Sequence, residues 1–406
     1  MKVVQVASGM ATGMGGPPRV IAGITNALVQ GGVSTRLLAP DATGPGDSTV
    51  PIACPADYFT RSRPHFWYTA PGLPQGLAEH AGDADIVHLH EVWSHPQFAA
   101  ACFASRRGIP HVLTPHGELG RRHMRHKGPM HHLKKRGYLR TVGRKVLHEA
   151  ACVHVLSATE EEGVRAVGYR GPVTIIPNGV HLDEFADLPP RESADERWPQ
   201  LAGRRVVLFL SRLSPEKGLS RLLPAWAEIA HRDALADAVL VLAGPNDRGY
   251  GDIVARLIQQ HDLQDRVVCT GMVQGNDRLR LLSRADVYTL PSFSEGFSMS
   301  LLEALACGNR AVYTPQCNFP EAEQAGAGLC VVPEVTDLRD ALVECLEMDA
   351  TRQATMEDAA RQLVARHYTW NSVAAQLQRV YQCLRNGIAI PRTPTAWSST
   401  PQQRAA

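Results

Sequence analysis

Short runs of Val, Ile and Leu alternate with helix-length amphipathic stretches along this chain, and the alternation happens twice. Lys2–Ala7, Thr35–Ala39, Asp85–Leu89, His111–Thr114, Ala151–Val155 and Val173–Ile176 read as a first series of strands. Val206–Leu210, Val239–Ala243, Arg266–Thr270, Val287–Leu290, Ala311–Tyr313 and Leu329–Val332 read as a second. The runs are near-continuously apolar, which suits parallel strands covered on both faces. Helix-length segments such as Arg19–Gln30 fill the gaps. Each series therefore predicts a doubly wound, Rossmann-like α/β domain. Between them, Asp183–Gly203 carries Pro189-Pro190 and charges without a period, as a linker does. The expected organisation is an N-terminal domain over 1–185, a linker over 186–203 and a C-terminal domain over 204–368. A closing helix over 369–387, opened by Tyr368-Thr369-Trp370, is expected to pack back on the first domain. The Pro-, Thr-, Ser- and Gln-rich tail 388–406 is expected to be disordered.

The 406 residues suit two domains, and 44% apolar content is enough for two buried cores. A net charge of +2 argues against a nucleic-acid partner, so electrostatic information has to be local. Nine Cys are scattered without a C-x-x-C pair, which excludes a zinc ribbon or thioredoxin-like motif and suits reduced core thiols. The start is too short and too soon followed by Gly for a signal peptide, and no run approaches the roughly 20 apolar residues of a membrane span. A cytoplasmic protein is expected, at most bound to a membrane surface.

In open α/β sheets ligands sit beyond the carboxyl ends of the strands, and two tandem domains are expected to share one such cleft. Three loops stand out there. The first, Ser8 to Pro18, contains Gly13, Gly15 and Gly16 before a helix. Glycines allow close backbone approach and a helix N-terminus suits a phosphate, although a plain tight turn accounts for it equally. The second, Ser211 to Gly218, carries Arg212 and Lys217, which can clamp a diphosphate or be two solvated cations. The third runs from Pro291 through Glu295-Gly296-Phe297-Ser298 into a helix that stops at Gly308. Amides at Gly296–Ser298 can hold an anion, with Glu295 before the helix and Glu303 inside it accepting hydroxyls on either side. His88, His90 and His116 also end strands. No carboxylate or Cys partner has matching spacing, so no metal is expected, and His116 reads as a hydrogen-bonding group toward substrate.

Together these loops resemble the retaining glycosyltransferases of family 4, of GT-B architecture, over about Met1 to Leu384. The most specific match is the spacing of Glu295 and Glu303, the family's E-x7-E element. Supporting matches are Gly15-Gly16, Asp85-Ile86-Val87-His88-Leu89-His90, Pro115-His116-Gly117, Ile176-Pro177-Asn178-Gly179-Val180, and Arg212 with Lys217-Gly218. The resemblance implies a nucleotide-sugar donor, UDP-, GDP- or other, and no further cofactor. Gly16 would then pack on the diphosphate or sugar, His116 would contact the donor sugar, and Arg212 and Lys217 would neutralise the diphosphate. Glu295 would bind sugar hydroxyls and Glu303 the ribose. Backbone at Met272-Val273 would meet the base, and amides of Phe297 and Ser298 the phosphates. Arg310 stands where the family usually has Pro, with little effect expected.

The acceptor side is less legible. Between Leu119 and His148 the chain has no Asp or Glu but carries Arg121, Arg122, Arg125, Lys127, Lys134, Lys135, Arg136, Arg140, Arg144 and Lys145. Such a segment can dock on anionic lipid and favour a lipid-linked acceptor, or be a solvated helix beside a glycan or small-molecule acceptor. Two rivals remain at this level: a GT-B-fold nucleotide-sugar epimerase, and an inactive glycosyltransferase-like scaffold.

Overall fold

The computed structural model describes residues 1–392 apart from 45, 121–123 and 125–128. The chain divides into two compact units, Met1–Gly179 with Trp370 onward, and Val180–Thr369.

The first unit holds a seven-stranded sheet of order β3-β2-β1-β4-β5-β6-β7. Its strands are β1 (Lys2–Val6), β2 (Ser34–Pro40), β3 (Ala56–Phe59), β4 (Ile86–His90), β5 (His111–Thr114), β6 (Cys152–Val155) and β7 (Val173–Ile175). Every pairing is parallel. The second unit holds a six-stranded parallel sheet of order β10-β9-β8-β11-β12-β13. These strands are β8 (Arg205–Leu210), β9 (Ala238–Ala243), β10 (Val267–Gly271), β11 (Val287–Leu290), β12 (Arg310–Tyr313) and β13 (Gly328–Cys330). In both sheets the order reverses beside the first strand, at β1/β4 and at β8/β11. Those switch points are where an open sheet of this kind receives its ligand.

The central strands explain themselves. Val3, Val4 and Val6 of β1 and Val206 to Phe209 of β8 are fully buried, as expected of strands covered on both faces. Several polar side chains buried with them form one hydrogen-bonded row. Tyr381, on the helix Trp370–Arg385, shares a 2.6 Å hydrogen bond with His88 Nδ1. His88 Nε2 meets Thr114 Oγ1 at 2.7 Å, and Thr114 Oγ1 meets His154 Nδ1 at 2.8 Å. His154 Nε2 ends the row on the Ile176 carbonyl at 2.8 Å. That carbonyl can only accept, so every proton points one way: Tyr381 donates to His88, His88 to Thr114, Thr114 to His154, and His154 to Ile176. Burial holds His88 well below its usual range and brings His154 down to about 4, so both stay neutral. The row ties the closing helix to the first sheet, and the Trp370 ring lies directly over Gly23, where any Cβ would collide with it.

Three sequence expectations change. The first helix begins at Gly16, not Arg19, so Pro17 and Pro18 fill its first turn. The segment 186–203 is no loose linker. It forms the helix Glu192–Arg197 and a 3₁₀ turn at Pro199–Leu201 within the second unit. Buried Arg284 staples it, bonding Asp195 at 2.7 Å and the carbonyls of Leu201 and Arg204 at 2.7 Å each. At the other end, Arg392 of the tail bonds Ile175 through its carbonyl and Glu161 through its guanidinium; residues 393–406 lie outside the described residues.

Candidate active site

The second unit's switch point is built by two loops that the sheet forces together. β8 and β11 pair directly, so the loop after β8 (residues 211–218) and the loop after β11 (291–298) leave the same edge. Gly218 makes the approach possible. Its φ is +76°, and a Cβ there would fall on the Pro291 carbonyl oxygen. Phe293 N donates to the Glu216 carbonyl at 2.7 Å across the same seam.

That seam delivers Lys217 Nζ to Glu295 Oε1 at 2.6 Å, with both side chains 11% exposed. Ser292 Oγ donates to the same oxygen at 2.7 Å. Glu295 is held from behind as well: its amide donates to the Gln316 carbonyl at 3.1 Å, and Asn318 Nδ2 donates to the carbonyls of Glu295 (2.7 Å) and Gly296 (3.1 Å). The helix Met299–Cys307 starts immediately after, capped by Ser298 Oγ accepting from Leu301 N and closed by left-handed Gly308. Among the described residues nothing accepts from the amides of Phe297 and Ser298. A cation, a carboxylate and a helix N-terminus with open amides thus share one corner.

The other expected residues fall in separate groups. Glu303, in that helix, meets Arg278 Nη1 at 2.5 Å, and Arg278 also holds Glu184 at 2.8 Å. Arg212 is half-exposed and bonds Asp247 at 2.7 Å, with Glu216 at 3.7 Å. Its guanidinium thus leaves the same loop as Lys217 but is held by carboxylates of its own. Met272 is exposed and Val273 half-buried beyond the end of β10. Arg310 turns away, to the Cys345 carbonyl at 2.7 Å.

In the first unit, His116 follows β5 in left-handed conformation (φ +49°), a strained placement for a non-glycine residue. Its loop is braced by Glu160, whose carboxylate accepts from the amides of Gly117 and of Leu156. Burial pushes His116 down to about 3, so the ring is neutral near pH 7. Glu91, also at positive φ, accepts from Ser8 N at 3.2 Å, and Glu118 accepts from Val92 N at 2.7 Å. Burial raises both carboxyls, and Glu118 is raised further by Glu91. Gly15 and Gly16 are exposed with open space around them. The expected phosphate cradle behind them is thin, because Pro17 and Pro18 remove two of the first turn's N–H groups.

Comparison with known proteins matches residues 15–179 to the glycosyl transferase 4-like domain and residues 190–363 to glycosyl transferases group 1. This chain belongs to the family 4 glycosyltransferases. The glycosyltransferase is 27% identical to phosphatidyl-myo-inositol mannosyltransferase of Mycobacterium tuberculosis, over 74% of each chain. In fold it is similar to sucrose-phosphate synthase from Thermosynechococcus elongatus (TM-score 0.72, 21% identity, 95% of this chain and 100% of that one). It is likewise similar to Anabaena HepE, solved in complex with UDP and glucose (TM-score 0.72, 19% identity, 94% and 99%). These likenesses show the GT-B fold class of two Rossmann-like domains. Sequence reasoning missed Ser292, Asn318 and Arg278 in this glycosyltransferase. Nothing in a lone Ser, a loop Asn or a helix-face Arg announces a partner distant in sequence.

Proposed function

We propose that this glycosyltransferase moves a hexose-type sugar from a nucleoside diphosphate to a hydroxyl of a glycan, lipid-linked or small-molecule acceptor, with retention at the anomeric carbon. One observation carries the reading: Lys217 and Glu295 in contact at the β8/β11 switch point, beside the open amides of Phe297 and Ser298. Lys217 and those amides suit a diphosphate, and Glu295 suits the hydroxyls of the sugar attached to it. Glu303, braced by Arg278, suits the ribose, and the backbone at Met272-Val273 the base. His116 is assigned to the sugar, and Arg212 to the phosphates once it exchanges Asp247 for them.

As the bond from the sugar to the phosphate oxygen breaks, its electron pair goes to the diphosphate and positive charge grows on the ring. Preorganised donors facing the growing negative charge are worth roughly 3–4 kcal/mol each, a sufficient role for Lys217 and the helix amides without a resident metal. The acceptor oxygen then bonds to the anomeric carbon on the face the phosphate leaves, and its proton passes to the departing phosphate oxygen. This same-face route needs no protein nucleophile.

A panel of nucleotide sugars in a thermal-shift assay tests the donor: the right one at a hundred times its Kd stabilises by about 2.7 kcal/mol. No stabilisation by any member, alongside normal folding, refutes it. An anionic lipid surface on the acceptor side is favoured by the helix Pro129–Arg140, which exposes Met130 and Leu133 beside Lys134, Arg136 and Arg140. Arg121, Arg122, His123, Arg125, His126 and Lys127 lie outside the described residues. Salt-sensitive co-sedimentation with anionic vesicles is expected, and its absence ends that part.

A further inference from the structure

His116 does not stand alone. Its Nε2 lies 3.0 Å from His90 Nδ1, the two rings stack at 5.3 Å, and His90 Nε2 lies 2.6 Å from Gln5 Oε1. Gln5 and His90 are fully buried in adjacent strands β1 and β4, and His90 is stacked on His88 at 4.4 Å. The Gln5 oxygen can only accept, so His90 carries its proton on Nε2. His90 Nδ1 is then a bare lone pair, and the 3.0 Å contact requires His116 to carry its proton on Nε2. His116 Nδ1 is left as an acceptor, and it bonds no described residue.

We propose that Gln5 and His90 are positioning residues that lock His116 in its Nε2–H tautomer, so that Nδ1 presents a fixed lone pair to a hydroxyl of the bound sugar. One amide in β1 sets one ring in β4, which sets the ring after β5. The surroundings keep the lock neutral. Burial holds His90 well below its usual range, and no carboxylate among the described residues bonds either ring, so neither takes the second proton that would make both nitrogens donors. The neighbouring titratable groups are His88 and His154, themselves neutral in the row to Ile176, together with Glu91, Glu118 and Glu160, which bond backbone amides. The locked lone pair suits a neutral hydroxyl donor and turns away a second acceptor such as a carboxylate or phosphate oxygen.

The proposal rests on the assignment of His116 to the sugar, and the test separates the two. Nitrogen-15 NMR of the histidine-labelled full chain reads the tautomer with no ligand or activity needed. Expected is an unprotonated Nδ1 and a protonated Nε2 at His116; a protonated Nδ1 or a mixture of tautomers overturns the lock. Gln5→Leu and His90→Leu are expected to mix the tautomers and lower kcat on the order of 10- to 100-fold, with donor KM little changed. His90→Asn, whose amide oxygen can stand where Nδ1 stood, restores most of that loss. Loss of activity in His90→Leu without any change in the His116 signals overturns the proposal in favour of a packing effect. A locked tautomer in a His116→Ala-tolerant enzyme leaves the lock standing and removes His116 from the sugar site.

Discussion

Replacing Gly218 by Ala is the sharpest perturbation of the seam that builds the site. The added Cβ meets two penalties. The left-handed φ of +76° costs an L-residue roughly 1–2 kcal/mol. The Cβ also falls well inside contact distance of the Pro291 carbonyl oxygen, a backbone atom with no rotamer to escape into. The two loops must part by about 1.5 Å to restore an ordinary contact, and overpacking of this kind costs about 1–3 kcal/mol. The sum is a loss of about 2–5 kcal/mol. Parting the loops also stretches the 2.6 Å contact of Lys217 with Glu295 beyond hydrogen-bonding reach. Gly203→Ala is the control, since Gly203 has φ +71° with nothing within 4 Å of the built Cβ and so carries the backbone penalty alone. Urea unfolding of both variants, with hydrogen exchange over residues 205–230 and 287–307, separates the two effects. Equal destabilisation of the two variants, with exchange at 291–298 unchanged, refutes the close approach and the pairing built on it.

Two further outcomes follow from the same geometry. Arg278→Met removes the ion pair that braces Glu303 and is expected to weaken binding of the nucleoside diphosphate by about 1 kcal/mol, roughly fivefold. Calorimetry should show the same loss with and without the sugar attached, whereas Glu295→Gln should affect only the sugar-bearing ligand. His154 is neutral in the folded chain down to about pH 4 but takes a proton near 6.5 when unfolded, so the unfolded state binds more protons in that window. Its stabilising contribution is complete above about pH 6.5 and is lost as the pH falls toward 4, at up to about 1.4 kcal/mol per pH unit. Raised carboxyls at Glu91, Glu118 and Glu160 work in the opposite sense, so the readout is a difference. The slope of unfolding free energy against pH in the wild type should exceed that of His154→Gln; parallel slopes contradict it.

The parallel sheets were legible because strands buried on both faces leave unbroken apolar runs, as Val206–Leu210 and Val239–Ala243 do. Edge strand β3 leaves no such trace: Ala56-Asp57-Tyr58-Phe59 pairs on one side only and is only partly buried. The segment 186–203 looked like a linker because Arg284, the residue that staples it, lies on another helix far along the chain. Pro17-Pro18 read as loop although Pro is at home in a helix's first turn. At the site, Lys217 and Glu295 were legible from their places after adjacent strands. The partner that holds Arg212 was not, because Asp247 sits in the loop after β9 and gives no local signal.

Turnover of the donor that stabilises the protein most, with wild type beside Lys217→Ala, bears most directly on the diphosphate site. Thermal unfolding would confirm that the variant keeps its fold. Release of nucleoside diphosphate is expected to fall at least about a hundredfold, with the wild-type product bearing the donor's anomeric configuration by proton NMR. Near-normal release from a folded Lys217→Ala, or an inverted product, would contradict it.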